Sequence, residues 1–167
     1  MTTIDISDGE QLRQTAIHEA GHAVTGRVLS LPCGQVTIEA DHDSAGHSII
    51  VDPWEIVAAW DQQGIYHRGY DEAMRARIMT YMAGSMAEEE CLGACHDGDG
   101  DDQMQVDLML DSLLPAGVAL EPYAARLKLR LRGIIRRHKA SIEHLAAQLL
   151  ERGTLSPMEV EQILGCG

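Results

Sequence analysis

The chain has no phenylalanine, and aromatic residues make up only 4% of its 167 positions, so a core has to be built from Leu, Ile, Val, Met and Ala. Cysteine is sparse: Cys33, Cys91, Cys95 and Cys166 are too few and too scattered for a disulfide framework. Reduced thiols and a cytoplasmic setting are the expectation. No apolar run approaches the roughly 20 residues that span a bilayer, and the first residues, Met1-Thr-Thr-Ile-Asp5, do not read as a signal peptide. No membrane partner is expected.

Basic residues are also scarce, 13 Lys and Arg against 26 Asp and Glu, for a net charge of -13. Residues 1–125 hold 5 of the bases and 22 of the acids, whereas residues 126–139 hold 7 bases and no acid. An acidic body of this kind speaks against nucleic acid as a partner. The basic stretch Arg126-Leu-Lys-Leu-Arg-Leu-Arg132 alternates like a strand, but Leu127, Leu131, Ile134, Ile135, His138, Ile142, Leu145 and Leu149 repeat at helical intervals. The longer pattern predicts one amphipathic helix whose basic face is solvated or offsets the acidic body.

What is present in the first thirty residues carries chemistry. His18-Glu-Ala-Gly-His22 places two imidazoles four residues apart, which on a helix stacks them on one face, where they can grip one metal ion. Glu19 then lies beside the metal as a base for a water attacking a carbonyl. With 8 His and 13 Glu in the chain, shuffling would produce His-Glu-x-x-His in about 3 of 100 copies. The flanks add independent helix signals: Ser7 and Glu10 read as a capping box, and Leu12, Ala16, Ala20, Ala23 and Val24 recur at helical spacing before Leu31-Pro32. Gly21, between the two His, costs about 1 kcal/mol relative to Ala in a helix, which points to close approach of another element.

The rest of the chain reads as mainly α with a small sheet. Gln35–Glu39 and Gly46–Asp52 are short, β-branched segments joined by a polar stretch, Ala40–Ala45, suited to a hairpin turn. Such a sheet beside the metal helix offers an edge on which an extended peptide can pair, through Gly46, His47, Ser48 and Ile49, or it simply covers the core. Trp54–Gly69 has no clean period and reads as a loop over the site. Asp71–Leu92 reads as a long helix with Met74, Ile78, Tyr81, Met82, Ser85 and Met86 on one side, and about Asp101–Leu114 as another. Ser156-Pro-Met-Glu159 carries an N-cap, a first-turn Pro and a capping Glu for a final helix.

A catalytic zinc keeps three protein ligands and one open position. For the third ligand the sequence offers Asp97, Asp99, Asp101 and Asp102, or Glu88, Glu89 and Glu90, and a softer cluster of Cys91, Cys95 and His96. His42, His47 and His67 are single residues. The acidic run does not fit a calcium-binding EF-hand loop, because counting from Asp97 the sixth position is Asp102 instead of Gly and the twelfth is Leu108 instead of Glu.

The segments Thr15-Ala-Ile-His-Glu-Ala-Gly-His-Ala-Val24, Gln35-Val-Thr-Ile38, Tyr81-Met-Ala-Gly-Ser-Met-Ala-Glu-Glu89 and Gly98-Asp-Gly-Asp-Asp102 fall in an order that resembles the protease domain of FtsH, the ATP-dependent zinc protease. The tail, from Arg136-Arg-His-Lys139 through Leu145-Ala-Ala-Gln-Leu-Leu-Glu-Arg-Gly-Thr-Leu155, is similar to its C-terminal helices. The resemblance implies a single helical metallopeptidase domain over residues 1–167, with a catalytic part to residue 115 and a helical part beyond. It implies zinc on His18, His22 and Asp102, with Glu19 as the base and Glu88 either orienting a ligand His or replacing Asp102. Here Gly100-Asp101 precedes Asp102 where the family has Ser-Asn.

The family also carries a membrane anchor and an AAA ATPase ahead of this domain, and no Gly-x-x-x-x-Gly-Lys-Ser/Thr loop occurs in the chain. The expected substrate is therefore an unfolded or flexible polypeptide, taken alone, delivered by a separate AAA ATPase, or handled within a longer product. The family's hexameric ring leaves a homo-oligomer open. Two other classes of function fit the same residues: a non-catalytic zinc-stabilised module that captures peptides, and a helical interaction protein that docks through its acidic body and basic helix.

Overall fold

The axis of the computed structural model, which describes residues 6–41, 44–45, 52–95 and 100–165, is a pair of 23-residue helices, α1 (Ile6–Val28) and α3 (Tyr70–Leu92). They approach closely because their facing residues are small. A Cβ built on Gly21 would lie 2.6 Å from the Cβ of Ala87 and 2.8 Å from the carbonyl oxygen of Ala83, so only glycine fits. Ala16, Ala20 and Ala23 of α1 are buried with it. From Glu19 to Thr25 every residue of α1 is buried, because α5 (Leu120–Arg137), α6 (Lys139–Arg152) and β1 (Val36–Thr37) pack on its other sides. Leu12, expected on the apolar face, lies beyond this packing and is 45% exposed. Ser7 lies inside the helix instead of preceding it.

Mainly helical architecture with a small sheet is what the sequence predicts, and seven helices are present among the described residues. The strands pair differently from expectation. β1 joins β4 (Thr154–Leu155) from the C-terminal region, antiparallel, with Val36 opposite Leu155 and Thr37 opposite Thr154. The pairing is reinforced by a 2.7 Å bond between the Thr37 and Thr154 hydroxyls and by Ile38 N–H donating to the Gly153 carbonyl. The stretch read as a turn is itself a minute hairpin, β2 (Ala40–Asp41) against β3 (Ser44–Ala45). The expected second strand, Gly46–Asp52, falls outside the described residues except for Asp52.

Trp54–Gly69 is mostly helix, not loop. α2 (Pro53–Gln63) starts with Asp52 accepting the Trp54 N–H at 2.8 Å and Pro53 in the first turn, and stops at Gly64 in the left-handed region. Its Ile56 and Trp60 bury a second apolar cluster with Leu31, Ala73 and Ala76, at the opposite end of α3 from Glu88, and Trp60 donates its indole N–H to the Ser30 carbonyl.

The basic helix is two helices. α5 and α6 meet at His138, whose φ of -107° and ψ of 17° bend the chain for one residue. His138 N–H still bonds to Ile134 and its carbonyl still accepts from Ile142, so the apolar repeat crosses the corner in phase. Lys139 donates to the Glu90 carbonyl at the end of α3 and Arg136 pairs with the Glu90 carboxylate, which ties the corner to a helix C-terminus where cations are favoured. The main core draws on both the first 115 residues and the remainder; Leu131, Ile135, Ile142, Leu145 and Leu149 are fully buried, each worth about 1.5–3 kcal/mol of transfer free energy. α7 (Pro157–Gly165) has the expected capping box, with Ser156 and Glu159 exchanging bonds between side chain and backbone N–H. No helix among the described residues is long and apolar enough to cross a membrane.

Candidate metal centre

His18 and His22 project from adjacent turns of α1 with ring centroids 4.6 Å apart and planes at 79°. Each ring is fixed by its Nδ1. His18 Nδ1–H donates to Glu88 Oε1 at 2.6 Å, and His22 Nδ1–H donates to the Thr80 carbonyl at 2.6 Å. A carbonyl only accepts, so the proton of His22 belongs on Nδ1, and both Nε2 atoms turn to the same point. That point is Asp102, in the first turn of α4 (Gly100–Leu113), whose Oδ2 lies 3.1 Å from Nε2 of His18 and 3.0 Å from Nε2 of His22.

Two nitrogens and one oxygen at these separations fit a tetrahedral ion: bonds of 2.0–2.1 Å place neighbouring donors about 3.3 Å apart. The donors of His18, His22 and Asp102 lie within 4.8 Å of one another and could hold a metal ion. Among the described residues no other group of three His, Cys, Asp or Glu does so. Three protein ligands leave a four-coordinate ion one position for solvent or substrate.

α3 makes the pocket for these rings by what it omits. A Cβ on Gly84 would stand 2.5 Å from Cε1 and Nε2 of His18, so the imidazole occupies the space of the missing side chain. Glu88 lies one turn further along α3 and is buried, which places its carboxylate on Nδ1 of His18 and not on the side that faces Asp102. Glu89 is exposed, and Glu90 pairs with Arg136. Asp101 is exposed, while Asp102 is half-buried.

Without a metal the cluster is held by protons. Burial pulls the His18 pKa down, but the bonds to Asp102 and Glu88 and the charge of Glu19 outweigh it and push it up to about 10. Burial raises the Asp102 pKa, and the two imidazoles more than reverse this, holding it well below the usual carboxylate range. Glu19 is itself only 4% exposed and lies on α1 within electrostatic reach of His18.

The other candidates separate from this centre or lie outside the described residues. Gly46, His47, Ser48 and Ile49, expected to hold substrate, lie outside them, as do His42, His96, Asp97 and Asp99. His67, in the loop after α2, bonds to Asp61 in the last turn of that helix. Cys91 and Cys95 are half-buried and do not join the group of His18, His22 and Asp102, although Cys95 lines a groove with Asp102; burial raises the Cys91 pKa. Gly84 and Thr80 are the positions of the candidate centre that sequence reasoning missed: one makes room for His18 through an absent side chain and the other holds His22 through a backbone carbonyl. The only available signal was Gly84 inside a helix, where glycine is costly.

A groove between α3, α4 and α5 opens beside Asp102, floored by Met82, Met86 and Val106. A second cavity, lined by Trp60, Tyr66, His67 and Arg130 among others, contains none of the three ligand residues. A scan of protein-family models finds none that matches the chain, and a search of curated proteins finds no match either.

Proposed function

We propose that the chain is a zinc-dependent metalloendopeptidase of the FtsH type, hydrolysing peptide bonds in unfolded or flexible polypeptides. The observation that carries the reading is the convergence of two Nε2 atoms on one carboxylate oxygen at 3.0 and 3.1 Å, with both Nδ1 atoms already engaged. Nitrogen and carboxylate donors in this number suit zinc. Bound there, zinc supplies a Lewis acid that lowers the pKa of a water toward about 7 and polarises a carbonyl.

The chain's own residues then have distinct tasks. His18, His22 and Asp102 fix the position of the ion, and Glu88 and Thr80 fix the two rings. Glu19, next in sequence to His18, accepts the proton of the attacking water and passes it to the leaving amine, a role that suits a buried carboxylate beside a cationic centre. The order of motifs that resembles FtsH supports the same assignment, with a separate AAA ATPase as the partner that would unfold folded substrates and deliver them.

The test is hydrolysis of casein or a fluorogenic peptide by the zinc-loaded protein, inhibited by a chelator and restored by zinc. Glu19→Gln is expected to retain zinc and lose turnover by at least 100-fold, on the order expected for general-base catalysis. Zinc retention without any hydrolysis by the unsubstituted protein overturns the reading.

A further inference from the structure

Of the seven basic residues in 126–139, two do something the others do not. Arg136 and Lys139 are tied to Glu90, and Arg130 borders the cavity away from the ligands. Lys128 and Arg132, one turn apart on α5, instead line the groove that Asp102 also lines. The groove floor beneath them is apolar and made largely of methionine, which adapts to varied shapes. Glu89 and Asp102 also line the groove, so its two cations face two carboxylates, of which Asp102 is already engaged by His18 and His22.

We propose that Lys128 and Arg132 form a subsite for a substrate carboxylate, so that the centre selects peptides with an acidic group next to the bond over the metal. The inference rests on the metallopeptidase reading for its orientation, since Asp102 is shared by the groove and the metal ligands. The selected group is a carboxylate at the end of a short aliphatic stem. It is supplied by a glutamate or aspartate side chain within the peptide or by the free C-terminus of a chain. Guanidinium and ammonium groups pair with either through charge-assisted hydrogen bonds. An acidic body otherwise repels acidic peptides, and Lys128 and Arg132 offset that repulsion at the groove.

The test uses binding, so that it does not depend on turnover. Zinc-loaded full-length Glu19→Gln protein is titrated with alanine-based fluorescent decapeptides carrying one Glu or one Gln at each position in turn, each as a C-terminal acid and as an amide. One or more Glu positions, or the free terminus, are expected to improve affinity on the order of tenfold over the neutral match. Adding Lys128→Gln and Arg132→Gln removes the difference and leaves the affinity of neutral peptides unchanged. A gain confined to internal Glu assigns the side chain as the source, and one confined to the free acid assigns the terminus. Equal affinity for charged and neutral peptides, or a preference that survives the double substitution, overturns the proposal. Failure of the peptidase reading is seen separately, as absence of cleavage of any of these peptides by the protein with Glu19 intact.

Discussion

Gly84 of α3 and His18 of α1 occupy one space: the His18 ring sits where a side chain of residue 84 would be, with Nε2 2.5 Å from the position of a Cβ. The obstruction is to a ring held at both ends, by Glu88 and Asp102, so it cannot swing aside without losing a ligand contact. Gly84→Ala is therefore expected to reduce zinc content strongly and to cost about 1–3 kcal/mol of stability, the range for overpacking a close contact. Metal analysis of the purified protein and urea unfolding check the two effects. Full zinc content at native stability would show that His18 tolerates a displaced ring and weaken its place as a ligand.

The two carboxylates that touch His18 separate by role. Asp102→Asn is expected to abolish stable zinc retention, because it removes a charged ligand. Glu88→Ala leaves all three ligands in place but frees the Nδ1 side of His18, and should weaken zinc affinity about 10–100-fold, as loss of a partner that orients a ligand imidazole does. Competition against a chromophoric chelator measures both. An unchanged affinity in Asp102→Asn with complete loss in Glu88→Ala would exchange the two assignments.

The helix carrying the two histidines was legible because its information is local. His18 and His22 are one turn apart, and the helix read as Asp71–Leu92 from the spacing of Met74, Ile78, Met82 and Met86 is α3, Tyr70–Leu92. Asp102 came from the resemblance, and the residues alone left it among several carboxylates. What stayed hidden depends on contacts distant in sequence or on missing atoms. Gly84 contributes an absence and Thr80 a carbonyl. β1 and β4 are two residues each and meet across more than a hundred positions, too short for alternation to declare a partner. The corner at His138 lacks glycine and proline, and the apolar repeat crosses it in phase, so nothing in the pattern marks the bend.

Stability of the metal-free protein should depend on pH through His18. Its pKa rises from 6.5 in the unfolded chain to about 10 in the fold, so the folded state keeps a proton that the unfolded state releases. The stabilisation is complete below pH 6.5 and is lost as pH rises toward 10. Asp102 acts in the opposite direction: its folded pKa lies below the unfolded 3.8, so its contribution is present above that value and disappears as pH falls beneath it. Chelator-treated protein is thus expected to melt progressively lower between pH 6.5 and 9. Zinc competes with the same proton, so the increase in Tm on adding zinc should grow over that interval. Thermal scans with and without zinc at four pH values test this, and a zinc-induced shift that shrinks with pH contradicts it.

Leu155 tests whether the C-terminal segment is structurally part of the site. It is fully buried in β4, opposite Val36, and the β1–β4 pairing seats the chain after α6 against the segment that follows α1. Leu155→Ala deletes buried methyl groups in a closely packed contact and should cost about 2–5 kcal/mol, depending on how far the surroundings collapse. If the segment only caps the core, zinc affinity at 25 °C stays within about twofold of the unsubstituted protein while the unfolding midpoint falls. If instead it sets the position of α1, zinc affinity falls together with the midpoint. The route from β4 to the ligands runs through α1, whose Glu19–Thr25 segment is buried by α3, α5 and α6 as well as β1. Three other elements hold the helix, so the expected outcome is the first: a large loss of stability with the metal site retained.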